Sequence, residues 1–111
     1  MANLDSLMKL DGAIAAFSFT DAGELTEHRL GDSPLNEDVL DLLCHVCVAN
    51  TAIATMQARG WEKLTGMQGF YPIEGFTMVG FDWSAVTGNG QGVVLKNDGA
   101  DYEAAYQVLN S

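Results

Sequence analysis

The feature that most constrains the fold of this chain is one long predicted helix, from Pro34 to Arg59, whose apolar surface is too wide for a single covered face. The apolar side chains form two neighbouring stripes at helical spacing. The first stripe consists of Leu35, Val39, Leu42, Val46, Ala49, Ile53 and Met56, and the second of Leu40, Leu43, Cys47 and Ala54. At about 100° per residue the stripes cover roughly half of the circumference, whereas a helix with one buried face shows an arc of ~100°. Such a helix needs two neighbours, and a chain of 111 residues readily supplies only one. The pattern therefore predicts self-association.

The bounds of this helix are predicted from the residues at its ends. Ser33 is a good N-cap, and Pro34 suits the first turn because no amide donor is needed there. Arg59 lies in the last turn and Gly60 just beyond it, as is typical of a helix C-terminus. We expect about 26 residues of helix, or ~39 Å, with Trp61 to Met67 adding no more than a loose turn.

Strands and short helices are predicted on both sides of the long helix. They are a short helix at Leu4 to Met8, strands at Ala13–Thr20, Glu24–Leu30, Gly69–Ile73, Phe76–Val86 and Gly92–Lys96, and a last helix that Asp98 caps and that has Tyr102, Ala105, Tyr106 and Leu109 on one face. Asp21-Ala22-Gly23 and Asn89-Gly90 are typical hairpin turns, because such turns need left-handed backbone. We expect Glu24–Leu30 at an edge of the sheet, and Pro72 places its strand at an edge or a bulge because proline cannot donate to a ladder.

This order of elements predicts the fold class. A helix, two strands, a long helix, three strands and a helix, with hairpins between neighbouring strands, indicate an α+β fold with a five-stranded antiparallel sheet, a long central helix and short N- and C-terminal helices. The length fits a single domain over residues 1–111.

Composition excludes several classes of partner. The formal net charge is −10, from 15 acidic and 5 basic residues, and no cluster of lysine and arginine interrupts it. Such a surface repels nucleic-acid phosphates and anionic lipids, so we expect neither nucleic acid nor membrane as a partner. No signal-peptide pattern opens the chain, and no run approaches the ~18 consecutive apolar residues of a membrane span. We expect a cytoplasmic protein.

The predicted order resembles the roadblock fold of dynein light chains and their bacterial relatives, a profilin-like arrangement. A small bacterial roadblock-like family with no assigned function is closer still. The residues that carry this resemblance are Cys47-Val48-Ala49-Asn50, Met56-Gln57-Ala58-Arg59-Gly60-Trp61, Thr65-Gly66-Met67, Gly69-Phe70-Tyr71-Pro72 and Gly75-Phe76. The resemblance implies a homodimer in which long helices pack together and sheets join edge to edge. Roadblock-like proteins usually act as platforms or regulators, some of them for small Ras-like GTPases. The resemblance supplies no catalytic residue.

Cys44 and Cys47 have the C-x-x-C spacing of a thiol redox pair. A working pair normally lies at a helix N-terminus, where the dipole lowers the pKa of the attacking thiol. This pair lies well inside the helix, and Asp41 one turn earlier raises the thiol pKa. We therefore favour packing over redox chemistry and keep the two cysteines as weak redox candidates.

Three other features of the sequence could indicate a site or a specific contact. His28 and His45, with the cysteines, would supply four zinc ligands, but His45 lies about 100° around the helix from Cys44, so we expect no metal site and no cofactor. Gly88 to Gly92 lies between strands and precedes no helix, so it is a hairpin and not a phosphate loop. Asn50 lies within the apolar arc, where it either fixes the register between two helices or bonds to a neighbouring loop.

The aromatic residues are dense for so short a chain. They are Trp61, Phe70, Tyr71, Phe76, Phe81 and Trp83. Core packing accounts for half of them or more, and we expect the others to form a partner or ligand surface. The best candidates are Trp61, Phe76 and Trp83, with the exposed part centred on Trp61 and Gly69–Tyr71.

The sequence therefore predicts a cytoplasmic, non-enzymatic homodimer that acts as an interaction or regulatory module. The predicted dimer surface comprises Leu42, Val46, Ala49, Asn50 and Ile53 on the helix and Phe70, Tyr71 and Ile73 at the sheet edge. Another protein, a small GTPase for example, is the expected partner. Two alternatives stay open: a small-molecule sensor with an aromatic pocket, and a thiol redox protein.

Overall fold

Two β-hairpins, closed by the two turns that the sequence predicts, supply four of the five strands. The computed structural model describes residues 3–31, 34–73 and 75–111. Its elements are α1 (Leu4–Met8), β1 (Ala13–Phe19), β2 (Leu25–Leu30), α2 (Glu37–Thr65), β3 (Gly75–Val79), β4 (Trp83–Gly88), β5 (Gln91–Lys96) and α3 (Tyr102–Leu109). Gly23 has a φ of +85°, and Asn89 and Gly90 have φ of 55° and 75°, which is the left-handed backbone that such turns need. The predicted order and fold class are confirmed.

The sheet has the strand order β2-β1-β5-β4-β3, and every neighbouring pair is antiparallel. The two hairpins meet at its centre, where β1 pairs with β5. The polar strand β2 lies at one edge, as predicted, and β3 lies at the other.

Helices cover both faces of the sheet. Successive strand residues point to opposite faces, so Val93 packs against α1 and α3 while its neighbour Val94 packs against α2. The face under the short helices is closed by buried leucines, with Leu7 from α1 and Leu109 from α3. The other face is closed by Leu40, Leu43 and Cys47 of the second apolar stripe of α2, together with Cys44 beside them.

Phe17 lies at the centre of the face that α2 covers. Its side chain is fully buried, and burial of a phenylalanine contributes on the order of 1.5–3 kcal/mol. The ring lies over Gly92 on the neighbouring strand, and a Cβ at position 92 would collide with it. The glycine thus makes room for the largest fully buried side chain of the core.

The N-terminus of α2 differs from the prediction. The helix begins at Glu37 and not at Pro34. Asn36 is the N-cap, and its Oδ1 accepts a hydrogen bond from the backbone N–H of Val39 at 3.0 Å. The predicted N-cap, Ser33, lies outside the described residues. Both residues suit an N-cap, and the sequence alone does not rank them.

The C-terminus of α2 also differs, and the helix is longer than predicted. It continues through Gly60 and ends at Thr65, so the segment Trp61–Met67 mostly belongs to it. The left-handed residue that ends the helix is Gly66, with a φ of +69°. The predicted end at Arg59 is wrong because a glycine, although the usual sign of a helix end, ends a helix only where the backbone turns left-handed.

The 29 residues of α2 correspond to ~44 Å of helix, close to the longest dimension of the molecule, 47 Å. By length and composition alone α2 would also pass for a membrane span, although only 22% of its most apolar 18-residue window is buried in the chain. Since one face of α2 closes the core of the sheet, we describe it as the core helix of a globular domain. Much of its remaining apolar surface has no cover within the chain.

The predicted strand at Gly69–Ile73 is wrong. These residues belong to a loop, residues 66–73, that folds back on the end of α2. Backbone amides that a strand would use in a ladder are bonded to a side chain instead, since the Glu62 carboxylate accepts from the N–H groups of Gly69 at 3.1 Å and Tyr71 at 3.4 Å. Pro72 therefore marks a loop and not an edge strand.

The predicted strand Phe76–Val86 is in fact two strands. A turn at residues 80–82 divides it into β3 and β4, and the N–H of Gly80 donates to the carbonyl of Trp83 at 2.9 Å. The predicted number of five strands is thus correct, although one predicted strand is a loop and another is two strands.

The last helix has the predicted apolar face but a different cap. Asp101, not Asp98, is the N-cap, and its Oδ1 accepts from the N–H of Ala104 at 3.0 Å. The hydroxyls of two tyrosines on this helix bond to the sheet, with Tyr106 at 2.8 Å from Thr77 and Tyr102 at 3.1 Å from Ser84.

The cap of α2 gives a direct test of its N-terminus. We expect Asn36→Ala to lower the free energy of unfolding by about 1 kcal/mol, because the N–H of Val39 loses its acceptor. Urea unfolding followed by circular dichroism measures the change. Ser33→Ala is the matched control, and a larger loss from Ser33→Ala than from Asn36→Ala would contradict the assignment.

Candidate interaction surface on the central helix

Most of the first apolar stripe lies on the side of α2 away from the sheet, whereas its first two residues, Leu35 and Val39, pack against the core. Leu42 is 63% exposed, Ile53 54% and Met56 72%. Ala49 is exposed as well, and Val46 is half-buried. We refer to Leu42, Val46, Ala49, Ile53 and Met56 as the outer stripe. As predicted, one face of the helix packs on the sheet and the other lies open.

The outer stripe continues beyond the predicted helix. At about 100° per residue, Gly60 and Leu64 lie on the same side of α2 as Leu42 and Ile53, and Leu64 is 78% exposed. Leu64 is absent from the predicted surface because the predicted helix ends at Arg59. The sequence does contain a signal for the longer helix, since Lys63 suits a last turn and Gly66 follows it.

Asn50 lies beside the outer stripe and is exposed. Its Nδ2 donates to the carbonyl of Val46, four residues earlier on the same helix, at 2.9 Å. Of the two alternatives for Asn50, the bond to a neighbouring loop is not the one seen, since the side chain bonds within its own helix turn. A role in fixing the register between two helices stays a prediction.

Charge is distributed unevenly along α2. Its first turn carries Glu37 and Asp38, and Asp41 follows one turn later. The last two turns carry Arg59 and Lys63, which are two of the chain's five basic residues. The outer stripe therefore runs from an acidic end to an end that carries both basic residues of the helix, with Glu62 between them.

The loop at residues 66–73 is fixed to α2 by polar side chains. Besides the two bonds to Glu62, Arg59 donates from Nη2 to the hydroxyl of Tyr71 at 3.1 Å. The same guanidinium lies 4.6 Å from the centre of the Tyr71 ring, a cation–π distance. Phe70 and Met67 in this loop are exposed, and so is Trp61 in the last turns of α2. The end of α2 and its loop thus present an aromatic and apolar surface.

The predicted site residues separate into two groups. Trp61, Phe70 and Tyr71 are exposed near the end of α2, and Ile73 is half-buried in the loop. The other aromatics are divided between core and surface: Phe76 and Trp83 are partly buried against the core beneath α2, and Phe81 is fully exposed in the turn between β3 and β4. Packing beneath α2 covers part of Phe76 and Trp83, and a surface that they share with Trp61 stays a prediction.

The environment of Cys44 and Cys47 opposes thiolate chemistry. Both are free and buried against the sheet. Burial, together with the charge of Asp41, raises the pKa of Cys44 to about 11. Burial raises the pKa of Cys47 to about 12, although a hydrogen bond with Thr87 acts in the opposite direction. A reactive pair needs the reverse shift, so this geometry favours packing.

The two histidines lie apart from the thiols. His45 is exposed, and its Nδ1 is 2.8 Å from the carbonyl oxygen of Asp41, while Cys44 beside it faces the core. His28 is half-buried on β2 at the register position of Phe17. Within residues 3–31, 34–73 and 75–111, no three or more His, Cys, Asp or Glu side chains are placed to hold a metal ion.

Two clefts flank the loop at residues 66–73. One, of about 590 Å³, lies between α2 and the turn of the β4–β5 hairpin, and Phe19 is the one aromatic residue among the described residues that line it. The other, also about 590 Å³, lies between the loop and α3 and is lined by Phe70, Tyr71 and Tyr106. Small-molecule sites have such volumes. The two tyrosine hydroxyls are, however, already bonded to Arg59 and to Thr77, which leaves fewer groups to recognise a ligand.

Comparison with known proteins defines the family. A family model described as "Uncharacterized conserved protein (DUF2173)" matches residues 3–111. The chain belongs to this family. No protein with a curated description matches it in sequence.

Solved structures show the same fold. The gliding protein MglB from Thermus thermophilus superposes with a TM-score of 0.70 at 16% identity, over 94% of this chain and 77% of that one. An MglB with a tetrameric arrangement gives 0.71 at 17% identity, over 94% and 76%. A Roadblock/LC7 domain from Streptomyces avermitilis gives 0.69 at 12% identity, over 96% and 85%. The roadblock-like fold that the sequence predicts is confirmed.

The raised thiol pKa values predict how stability changes with pH. The ordinary thiol pKa is 9.0, and the pKa values in the folded chain are about 11 for Cys44 and about 12 for Cys47. As the pH rises through this range, the unfolded chain loses thiol protons that the folded chain keeps. The folded state binds more protons, so the free energy of unfolding falls as pH rises above about 9. Urea unfolding at pH 8 and pH 10.5 measures this fall. Cys44→Ala/Cys47→Ala should show a smaller fall, and an equal fall in both proteins would contradict the shifts.

Proposed function

We propose that the chain is a non-enzymatic regulatory module that acts as a cytoplasmic homodimer and binds another protein, with a small Ras-like GTPase as the class of partner. The roadblock-like fold supports this proposal, because roadblock-like proteins usually serve as platforms or regulators. The tetrameric arrangement of one MglB structure supports self-association of this fold.

The outer stripe of α2 is the observation that carries the proposal. Large apolar side chains exposed in one line are costly in water, and a contiguous exposed patch is typical of a protein interface. Leu42, Ile53 and Met56 are each more than half exposed. A second copy offers the same stripe, and a two-fold axis brings identical surfaces together.

The free edge of β3 is a second surface for the same dimer. Among the described residues β3 pairs with β4 on one side only, so its outer edge can extend the sheet across two copies. Val79 on this strand is 63% exposed. The edge strand of this side of the sheet is β3, and not the strand that was predicted at Gly69–Ile73. The loop that contains Phe70 and Tyr71 lies just before β3 in the chain.

A charge on the outer stripe tests the homodimer. We expect wild-type protein to have twice the chain mass of 11.9 kDa by light scattering, and Ile53→Glu to be a folded monomer. Ile53 is exposed within one copy, so a glutamate there leaves the fold intact but becomes an unpaired buried charge in the dimer. Val46→Glu should act in the same direction.

Gln107→Glu is the matched control, because it adds the same charge at an exposed position on α3. It should keep the dimer mass. A dimeric Ile53→Glu protein with an unchanged circular dichroism spectrum would contradict the interface.

Binding to a GTPase tests the proposed role. The Ras-like GTPases encoded in the same genome are titrated against the protein by calorimetry, each loaded with GDP and with a non-hydrolysable GTP analogue. We expect one of them to bind with a clear preference for one nucleotide state, and Ile53→Glu to bind more weakly because the two-fold platform is lost. The absence of binding by every such GTPase would remove this partner class and leave the dimer itself untouched.

A further inference from the structure

The side of α2 that faces the sheet is interrupted halfway along the helix. At about 100° per residue, Leu40, Cys47, Thr51 and Ala58 lie on one side of α2. Leu40, Cys47 and Ala58 are buried, whereas Thr51 is half-buried. Thr51 lines the cleft of about 590 Å³ between α2 and the turn of the β4–β5 hairpin, which we call the α2 cleft. A polar residue thus lies over an open space in a line that otherwise packs.

The α2 cleft exists because the helix extends past the end of the sheet. The floor of the cleft is formed by Phe19, at the end of β1, and by the β4–β5 turn at residues 88–90. From Thr51, α2 continues for about four more turns to Thr65. Pro72 and Ile73, in the loop that folds back on α2, form the far wall. The cleft is therefore the gap between the sheet and this loop, with α2 as its roof.

Two polar groups on the walls of the α2 cleft have no partner within the described part of the chain. The carboxylate of Asp21 and the hydroxyl of Thr51 both line the cleft, and neither forms a hydrogen bond or an ion pair with another described residue. Around them the walls are apolar, with Val48, Ala52 and Ile73. A molecule in this cleft would meet a carboxylate, a hydroxyl and an apolar surface.

We propose that the α2 cleft binds a small organic cation, namely an amine with an apolar body. The ammonium group lies at Asp21, the apolar body lies against Val48, Ala52 and Ile73, and Thr51 is a further polar contact. This site is separate from the outer stripe of α2, and it does not depend on the proposed homodimer or on a GTPase.

Charge favours a cation over other ligands. Asp21 is the one charged residue among the described residues that line the cleft, and the chain has a formal net charge of −10. A cleft with one sign of charge and apolar walls concentrates ions of the opposite sign. A divalent metal ion would need several oxygen ligands, so a single carboxylate beside apolar side chains suits an amine better.

The other clefts lack this combination. The cleft between the loop and α3 has no charged residue among the described residues that line it. A third cleft, beside β2, is lined by Asp5 and Glu27. Arg29 already pairs with both of these carboxylates, at 3.1 Å from Asp5 and 2.9 Å from Glu27. Only the α2 cleft thus combines, among the described residues, an unpaired carboxylate with apolar walls.

Titration with three probes of one shape tests the ligand class. Phenethylamine, phenethyl alcohol and hydrocinnamate share a ring and a short chain but carry a cation, a neutral hydroxyl and an anion. Amide NMR of the full chain at neutral pH should show saturable shifts with phenethylamine at residues 19–21, 48–52 and 88–90. We expect a dissociation constant on the order of 1 mM, as is ordinary for so small a ligand. The alcohol and the anion should bind about fivefold more weakly or less.

Variants of the chain test the position of the site. Asp21→Asn should weaken phenethylamine binding about fivefold and remove its advantage over the alcohol. Asp98→Asn is the matched control, because it removes the same charge from an exposed residue beyond the opposite end of β5, and it should leave the dissociation constant unchanged. Ala52→Trp should abolish the saturable shifts by filling the cleft. Ala52 is exposed, so this variant should keep the circular dichroism spectrum of the wild type.

Three results would overturn the proposal. Equal binding of the three probes would contradict the cation. Equal effects of Asp21→Asn and Asp98→Asn, or saturable shifts confined to other residues, would contradict the site. The absence of saturable shifts with phenethylamine and with the larger tryptamine would refute an amine site in the cleft, while the dimer and its partner would be unaffected.

Discussion

The two faces of the sheet are covered by different numbers of helices, and the rest of the architecture depends on this difference. Two short helices close one face, and α2 alone closes the other with a single line of side chains. A helix of 29 residues has far more surface than that face requires, so many of its apolar side chains remain exposed. This excess of helix surface accounts for the other features of α2. They are the exposed outer stripe, the charges beside it, and a final segment against which the loop at residues 66–73 folds back.

The sequence is most informative where a physical requirement has few solutions. Asn89-Gly90 and Gly23 supply left-handed backbone at two hairpins, and two apolar stripes at helical spacing do show a buried and an exposed face. The sequence is least informative where two residues suit the same structural position equally well. Ser33 and Asn36 both suit an N-cap, and Gly60 and Gly66 both resemble a helix end.

Tertiary contacts decide the remaining differences. The segment Gly69–Ile73 has strand-like side chains, but the carboxylate of Glu62 takes its amides, and no local pattern reveals a bond between residues that distant. For the candidate site, the exposure of Leu42, Ile53 and Met56 follows from periodicity. Leu64 lies beyond the predicted helix and is therefore missing from the predicted surface. Phe76 and Trp83 are partly buried against the core, which composition alone does not reveal, and their place in a partner surface stays a prediction.

The absence of obvious chemistry on α2 has a physical basis in the same packing. Cys44 and Cys47 occupy the side that closes the sheet, where burial opposes the thiolate form. The spacing that resembles a redox motif is here the spacing of two small residues on one helical face. The side of α2 that meets solvent carries apolar and charged groups suited to protein contact.

The contact between Phe17 and Gly92 has a consequence for how this family can vary. The two positions share one volume at the centre of the sheet, because the ring occupies the space that any side chain at position 92 would need. Neither can change freely while the other stays. A family member with a larger residue at position 92 should carry a smaller one at position 17, so that two sites far apart in the chain evolve as one.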